Sequence, residues 1–365
     1  MTVTTVSSQS EPLRWRSGLE PIVLPLVALL ASLVIFGLFC TLAGANPLEV
    51  YNSIYLAAFG SWNSFQNTLI RASPLMLASL CTILPARLGL IVIGNEGAVV
   101  IGGIGAVTVG LAIESWPPLL VVTGMALAGL VSGGLWIMAV GALRVLRGVN
   151  ETISSLLMNY IAIALLNHLV GGPMRDPSSL NKPSSFPIVE ANMLSNLFDS
   201  RIHLGLVYGL IACLIAYVLI QRTTFGFAVR TIGGNPRVAK MAGIAVAKLS
   251  LIVCFLAGSC AGLAGMVEVA AVHGRANESL NAGYGYSSIL VAFIARQNPF
   301  MAIPMAILLG GILASGGILQ RRHDLPDASV LVFQGIVFLL ILFSESQYGK
   351  FKFFQDREPQ GSLSV

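Results

Sequence analysis

Long apolar runs separated by short polar turns fill the chain. A helix needs about 20 apolar residues to cross the hydrocarbon of a bilayer. Ten candidate spans recur, near residues 24–42, 67–84, 98–113, 119–143, 153–170, 204–220, 249–272, 287–295, 300–319 and 330–343. The eighth is too short for an ordinary span, and a Gly-rich break separates the second from the third, so the expected count is about ten within a range of eight to ten. The runs lack the alternation that a lipid-embedded barrel requires. The predicted fold class is therefore all-α, a polytopic membrane protein with a broken helix in each half. Its organisation reads as a cytoplasmic tail over 1–20, one transmembrane domain over 21–346 and a second cytoplasmic tail over 347–365.

Composition agrees with this pattern: 55% of the 365 residues are hydrophobic and only 10% charged, with a mean hydropathy of +0.82, well outside the soluble range. A polar, Ser- and Thr-rich lead ends in Arg14 and Arg16 with no A-x-A site after the first run, so that run is expected to stay as an anchor. Retention of basic flanks on the inner side puts the N-terminus in the cytoplasm. Loop 44–65, with Glu49 and no Lys or Arg, then falls outside. Arg144 and Arg147 fall inside, 171–201 outside, and Arg222, Arg230, Arg237 and Lys240 inside. Lys350, Lys352 and Arg357 fit the inside again. Arg321 and Arg322 come out on the external side and run against the rule, either as a short solvated turn or as a docking surface for an acidic external partner. This loop bias accounts for the net charge of +5, so no nucleic-acid partner is implied, and membrane lipid is the expected surrounding.

Catalytic chemistry is missing from the pattern. Cys40, Cys81, Cys213, Cys254 and Cys260 lie in apolar runs without CxxC spacing and read as small buried hydrophobes. His168, His203, His273 and His323 form no i, i+3 or i, i+4 pair for a metal. No GxSxG, HExxH or Walker A motif occurs. The chain is expected to be neither an enzyme nor the holder of a cofactor.

Two segments inside the apolar part are unlike plain packing. In 87–102 (RLGLIVIGNEGAVVIG), Gly89, Gly94, Gly97 and Gly102 interrupt the run, and Asn95 and Glu96 bring polar groups into it. A broken helix fits, because freed backbone is tolerated at membrane depth only inside protein or along a wet cavity. The alternative is close helix packing by small residues. In 281–304 (NAGYGYSSILVAFIARQNPFMAIP), a turn with Tyr284 and Tyr286 precedes a half-length apolar run ending at Arg296. Interrupted short segments, one per half, point to a transport route. Asn159, within an apolar run, either bonds a neighbouring helix or faces that route. At the start of the same run, Asn150 or Thr152 is placed to cap the helix, with Glu151 near its positive end.

The segment 226–244 (GFAVRTIGGNPRVAKMAGI) is polar and basic between two apolar runs, the composition of a surface that meets a cytoplasmic protein. The external loop 171–201, rich in Pro, Ser and Asn, is the other sizeable insert, read either as a connection or as a rim on which an external protein sits.

From about residue 67 to 343 the chain resembles the membrane subunits of ABC importers for ribose, branched-chain amino acids and nucleosides. The segment 226–244 is similar to that family's loop carrying a short coupling helix. The stretch 74–102 and the run 148–177 (beginning GVNETISSLLMNYIA) are similar to the nucleoside, basic-membrane-protein-dependent branch. The chain departs from that branch at Val92 and Ala98, where the branch usually has Asn and Gln. The resemblance implies a cytoplasmic ATPase subunit that binds the ATP, an external substrate-binding protein and a second permease subunit, usually a different chain. It also implies coupling through Arg230, Gly233, Gly234, Asn235, Pro236, Arg237 and Lys240. Gly233 and Gly234 are expected to allow a tight turn, and Ala239, Met241 and Ala242 to form an apolar seat. Asn95, Glu96, Asn159, Tyr284 and Tyr286 are the expected pathway residues for a neutral solute such as a nucleoside or nucleobase. Ribose-like sugars and branched-chain amino acids stay open as cargo. So does a different class of protein, an ion-coupled carrier using Glu96 and Glu268.

Overall fold

The computed structural model describes residues 15–179, 182–197 and 200–346. Arg14, the start of the N-terminal tail, Lys350, Lys352, Arg357 and the 347–365 tail lie outside them. Fourteen α-helices follow in order: α1 (Trp15–Leu42), α2 (Pro47–Phe59), α3 (Trp62–Ala86), α4 (Asn95–Ala112), α5 (Pro118–Arg147), α6 (Glu151–Gly171), α7 (Gly205–Arg222), α8 (Thr224–Gly234), α9 (Pro236–Met241), α10 (Val246–Val267), α11 (Tyr284–Ile294), α12 (Pro299–Ala314), α13 (Gly316–His323) and α14 (Ser329–Ser346). A π-helical stretch, Glu268–His273, extends α10. The contacts divide the chain into two compact units, one of Met1–Pro47 with Leu331–Val365 and one of Leu48–Val330. In the first, Phe36 stacks on Phe333 with ring centroids 4.5 Å apart, joining α1 to α14.

Every one of the ten apolar runs is helical, and among the described residues seven helices are long and apolar enough to cross a membrane. The number is eight if the interrupted pair Leu26–Leu42 and Pro47–Phe59 is one span. The count therefore differs from ten for a physical reason. Run 287–295 becomes the 11-residue α11, about 16 Å long at 1.5 Å per residue, half a bilayer. Run 330–343 gives an apolar helix below spanning length, and run 24–42 ends at the break after Leu42.

In the second unit, α3, α4 and α10 form the interior. Their apolar windows are 78%, 67% and 67% buried, against 28–44% for the spans of α5, α6, α7 and α12–α13. Helices in lipid gain no hydrophobic free energy from leaving it, so close backbone contact must hold them. The interior is built that way: a Cβ on Gly262 of α10 would collide with Gly129 O of α5, and one on Gly265 with Val99 O of α4. The five cysteines are unpaired, four of them buried.

At one end of this unit the loop 171–201 is tied down. Ser185 N donates to Ala276 O at 2.8 Å, Ile188 N to Gly274 O at 2.7 Å and Leu194 N to Ala270 O at 2.8 Å. Asn192 Nδ2 donates to Glu114 O at 3.0 Å. The loop is thus fastened along the segment that leads from α10 into α11. Arg321 and Arg322 occupy the last turn of α13, where cations complement a helix C-terminus. His203, just before α7, is 3% exposed, and neither ring nitrogen finds a partner among the described residues.

Two outcomes follow from this packing. Gly262→Ala forces α5 and α10 apart and should destabilise the protein by about 1–3 kcal/mol, whereas Gly317→Ala, with only the Arg321 guanidinium near its new methyl, should not. Thermal unfolding of both variants in detergent decides it, and equal midpoints would refute the contact. Burial lowers the His203 pKa from 6.5 to about 4. Below about 6.5 the unfolded chain therefore binds the extra proton and the folded one does not. Stability should fall as pH drops from about 6.5 towards 4, by at most about 1.4 kcal/mol per pH unit from this group. Unfolding midpoints across that window should be flatter in His203→Phe.

Candidate functional site

The two breaks, nearly 190 residues apart in sequence, meet in space. Glu96 Oε1 accepts Gly283 N at 2.9 Å and Oε2 accepts Gly285 N at 2.6 Å, with the Tyr286 amide as a further donor. The first amides of a helix have no partner within it, and here a fully buried carboxylate supplies one for α11. Glu96 is itself in the first turn of α4, so its charge lies near the positive ends of two helices. Gly283 can lead into α11 because its φ of +80° is left-handed. Gly285 is required by contact: a Cβ there would collide with the Glu96 backbone.

Asn95, also fully buried, completes the junction. Its Nδ2 donates to Ala78 O at 3.1 Å and lies 2.9 Å from Thr82 Oγ1 and 3.0 Å from Ser288 Oγ. Thr82 is four residues and Ala78 eight from the end of α3. The junction therefore sits about 6–12 Å in from that end, at 1.5 Å per residue.

Asn159 is turned to a neighbouring segment and is fully buried. Its Oδ1 accepts Gly97 N at 2.8 Å and its Nδ2 donates to Ile93 O at 2.9 Å. Its side chain also hydrogen-bonds Tyr286, which is 41% exposed. Tyr284 pairs through its hydroxyl with Arg71 of α3. The start of α6 grips the same broken stretch: Thr152 Oγ1 donates to Ile91 O at 2.9 Å and Ser155 Oγ accepts Ile93 N at 3.0 Å. Asn150 is the cap of α6, accepting Thr152 N at 2.9 Å and Ile153 N at 3.1 Å. Glu151 pairs with Arg144 at 3.2 Å. All five expected pathway residues, Asn95, Glu96, Asn159, Tyr284 and Tyr286, thus fall in one cluster, with Tyr286 its accessible member. Val92 and Ala98 are buried in the apolar core at 1% and 0% exposure.

The other group of residues forms α8 and α9. Asn235, in an extended conformation, breaks the two helices apart and caps α9, its Oδ1 accepting Arg237 N at 2.9 Å and Val238 N at 3.3 Å, with Pro236 in the first turn. Gly233 and Gly234, expected to allow a tight turn, are the last two residues of α8 and neither is left-handed; a Cβ on Gly233 would collide with Arg87 O. Arg230 faces inward, donating to Ile220 O at the end of α7. Ala239 is fully buried and unavailable as a seat, while Val238 at 48% and Met241 at 80% exposure present the apolar surface beside exposed Arg237 and Lys240. Between this pair of helices and the rest lies a cavity of about 370 Å³ bordered by Leu88, Gly89, Arg144, Gly233 and Lys240.

One residue passed unnoticed in the sequence. Arg87, half-buried at the end of α3, donates from Nη2 to Gln297 O at 2.7 Å, just past α11. It marks the end of an apolar run before Gly89, the only trace of its role in the sequence.

Comparison with known proteins fits this arrangement. Residues 64–342 match the family described as branched-chain amino acid transport system / permease component. The glucose ABC transporter permease protein TsgB13 of Haloferax volcanii is 29% identical over 88% of this chain and 87% of its own length. The guanosine ABC transporter permease protein NupP of Bacillus subtilis is 27% identical over 90% and 94%. The nucleoside ABC transporter permease protein NupB of Lactococcus lactis is 26% identical over 88% and 90%. With three quarters of its length inside the matched region, this chain belongs to the family described as branched-chain amino acid transport system / permease component.

Proposed function

We propose that this multi-pass plasma-membrane permease is the path-forming subunit of an ATP-driven importer, with a nucleoside or nucleobase as its neutral cargo. The observation that carries the reading is the α8–α9 pair: a capped, exposed, basic and apolar projection whose inner side abuts the Arg87 turn. A cytoplasmic ATPase docked on Val238, Met241, Arg237 and Lys240 pushes there when it binds ATP, which this chain does not itself bind. An external binding protein delivers the solute to the end carrying loop 171–201, a second permease chain completes the route, and the N-terminus is cytoplasmic.

The nucleoside assignment draws on the guanosine and nucleoside permeases among the relatives. A sugar is the second reading, favoured by the glucose permease. Ion coupling through Glu96 is disfavoured by chemistry, since both carboxylate oxygens are already engaged by backbone amides. Glu268 is buried, with one carboxylate oxygen 3.5 Å from His273 Nε2.

Uptake of labelled guanosine, adenosine, uridine, ribose, glucose and leucine, in cells making this chain with its ATPase, tests the reading. Nucleoside uptake should require the ATPase, and Arg237→Glu/Lys240→Glu should cut it by about tenfold or more, as expected when charges at a docking surface are reversed, with the amount of chain unchanged. Uptake of glucose alone would keep the mechanism and replace the cargo, and uptake without the ATPase would overturn both. Glu96→Gln should lower thermal stability by about 1.5–3 kcal/mol through loss of charge-assisted hydrogen bonds to α11 while remaining ATPase-dependent. Abolished uptake together with indifference to the ATPase would instead establish ion coupling.

A further inference from the structure

α11 is held at both ends by one segment of ten residues. Glu96 takes up its first amides, and Arg87 binds Gln297 O just beyond its last turn. Acid at the N-terminus and base at the C-terminus are the pairing that complements a helix dipole. The same segment is touched from outside by α8, where Gly233 lies against Arg87 O closely enough to admit no Cβ.

The contact is poised rather than saturated. Arg87 Nε is buried and has no acceptor among the described residues, and burial together with the nearby Arg230 guanidinium lowers the Arg87 pKa. Arg296 and Gln297, which present the carbonyl, are both non-glycine residues in the left-handed region, at φ 50° and 56°, a conformation that costs energy and is kept only where surroundings impose it. A guanidinium with a spare buried donor, a like charge beside it and a strained acceptor can be shifted by a small displacement of α8.

Resting on the reading of α8–α9 as the ATPase dock, we propose that Arg87 is a positioning residue for transport, passing displacement of α8 through Gly233 and the Arg87 turn to the C-terminal end of α11, whose other end is fixed to Glu96 at the pathway cluster. Arg87 touches no solute. Its role is to make the half-helix α11 move with the coupling helices.

The test uses the full chain with its second permease chain and ATPase in proteoliposomes, with solute-loaded binding protein, measuring solute moved per ATP hydrolysed. Arg87→Met should keep ATP hydrolysis and complex assembly near wild type and lower the transported-per-hydrolysed ratio about tenfold, as for loss of one charge-assisted hydrogen bond. Arg87→Lys, which keeps one donor, should recover part of the ratio. Gly233→Ala, whose methyl pushes α8 away from the Arg87 carbonyl and leaves the Arg87 side chain in place, should uncouple in the same way and serves if Arg87→Met does not assemble. Unchanged ratios in both variants, or hydrolysis and uptake falling together, would overturn the relay while leaving the importer intact. A wild-type complex that does not couple hydrolysis to uptake would overturn the importer reading and the relay with it.

Discussion

A carboxylate set against the free amides of a helix start is what allows backbone to break inside this apolar bundle. Each unpartnered amide in a dry interior costs as much as a lost hydrogen bond or more, and α11 begins inside the protein with its first amides pointing at α4. Glu96 answers them. Once that bond is made, Gly285 must be bare to let α4 approach, Asn95 must find Ala78, Thr82 and Ser288, and Asn159 must hold the incoming stretch at Ile93 and Gly97. These polar residues form one consistent answer to the breaks between α3 and α4 and between α10 and α11.

That junction gives the fold its division of labour. α5 and α10, joined backbone to backbone with α4, provide a fixed wall. α11 is buried through Ser287, Ser288, Ile289, Leu290, Val291 and Ala292 and is tied at both ends as well, to Glu96 and to Arg87. The loop 171–201 holds the lead into α11 at one side, and the Arg87 turn holds its exit at the other. The unit thus combines a closely packed frame of three helices with a half-length helix tied at both ends.

Length and hydropathy made the spans readable in the sequence, since membrane thickness imposes helix length directly, and seven of the ten runs became helices of spanning size. The breaks were readable too, from Gly89, Gly94 and the Gly-Tyr turn. Their contact was not, because nothing local in Glu96 says that its partners lie at Gly283 and Gly285. Arg230 looks outward in sequence, yet the last carbonyls of α7 need donors and it turns in to serve them. Gly233 looks like a turn residue, but its smallness serves a neighbour 146 positions away. Ala239 and Val238 are adjacent and Val238 is the more apolar, yet helix phase buries the first and exposes the second.

The glycine seam among α4, α5 and α10 has a thermodynamic consequence of its own. Side chains brought into a protein interface lose rotamer freedom, up to about 2 kcal/mol for the longest, and glycine loses none. Where Gly262 meets Gly129 and Gly265 meets Val99 O, the glycines themselves bring no side-chain entropy cost to the contact, in a solvent that offers the helices little other reason to leave lipid. The backbone freedom that makes glycine a poor helix former in water is already restrained once each helix has formed across the bilayer. The seam can therefore close late in assembly with its main entropic penalty already behind it.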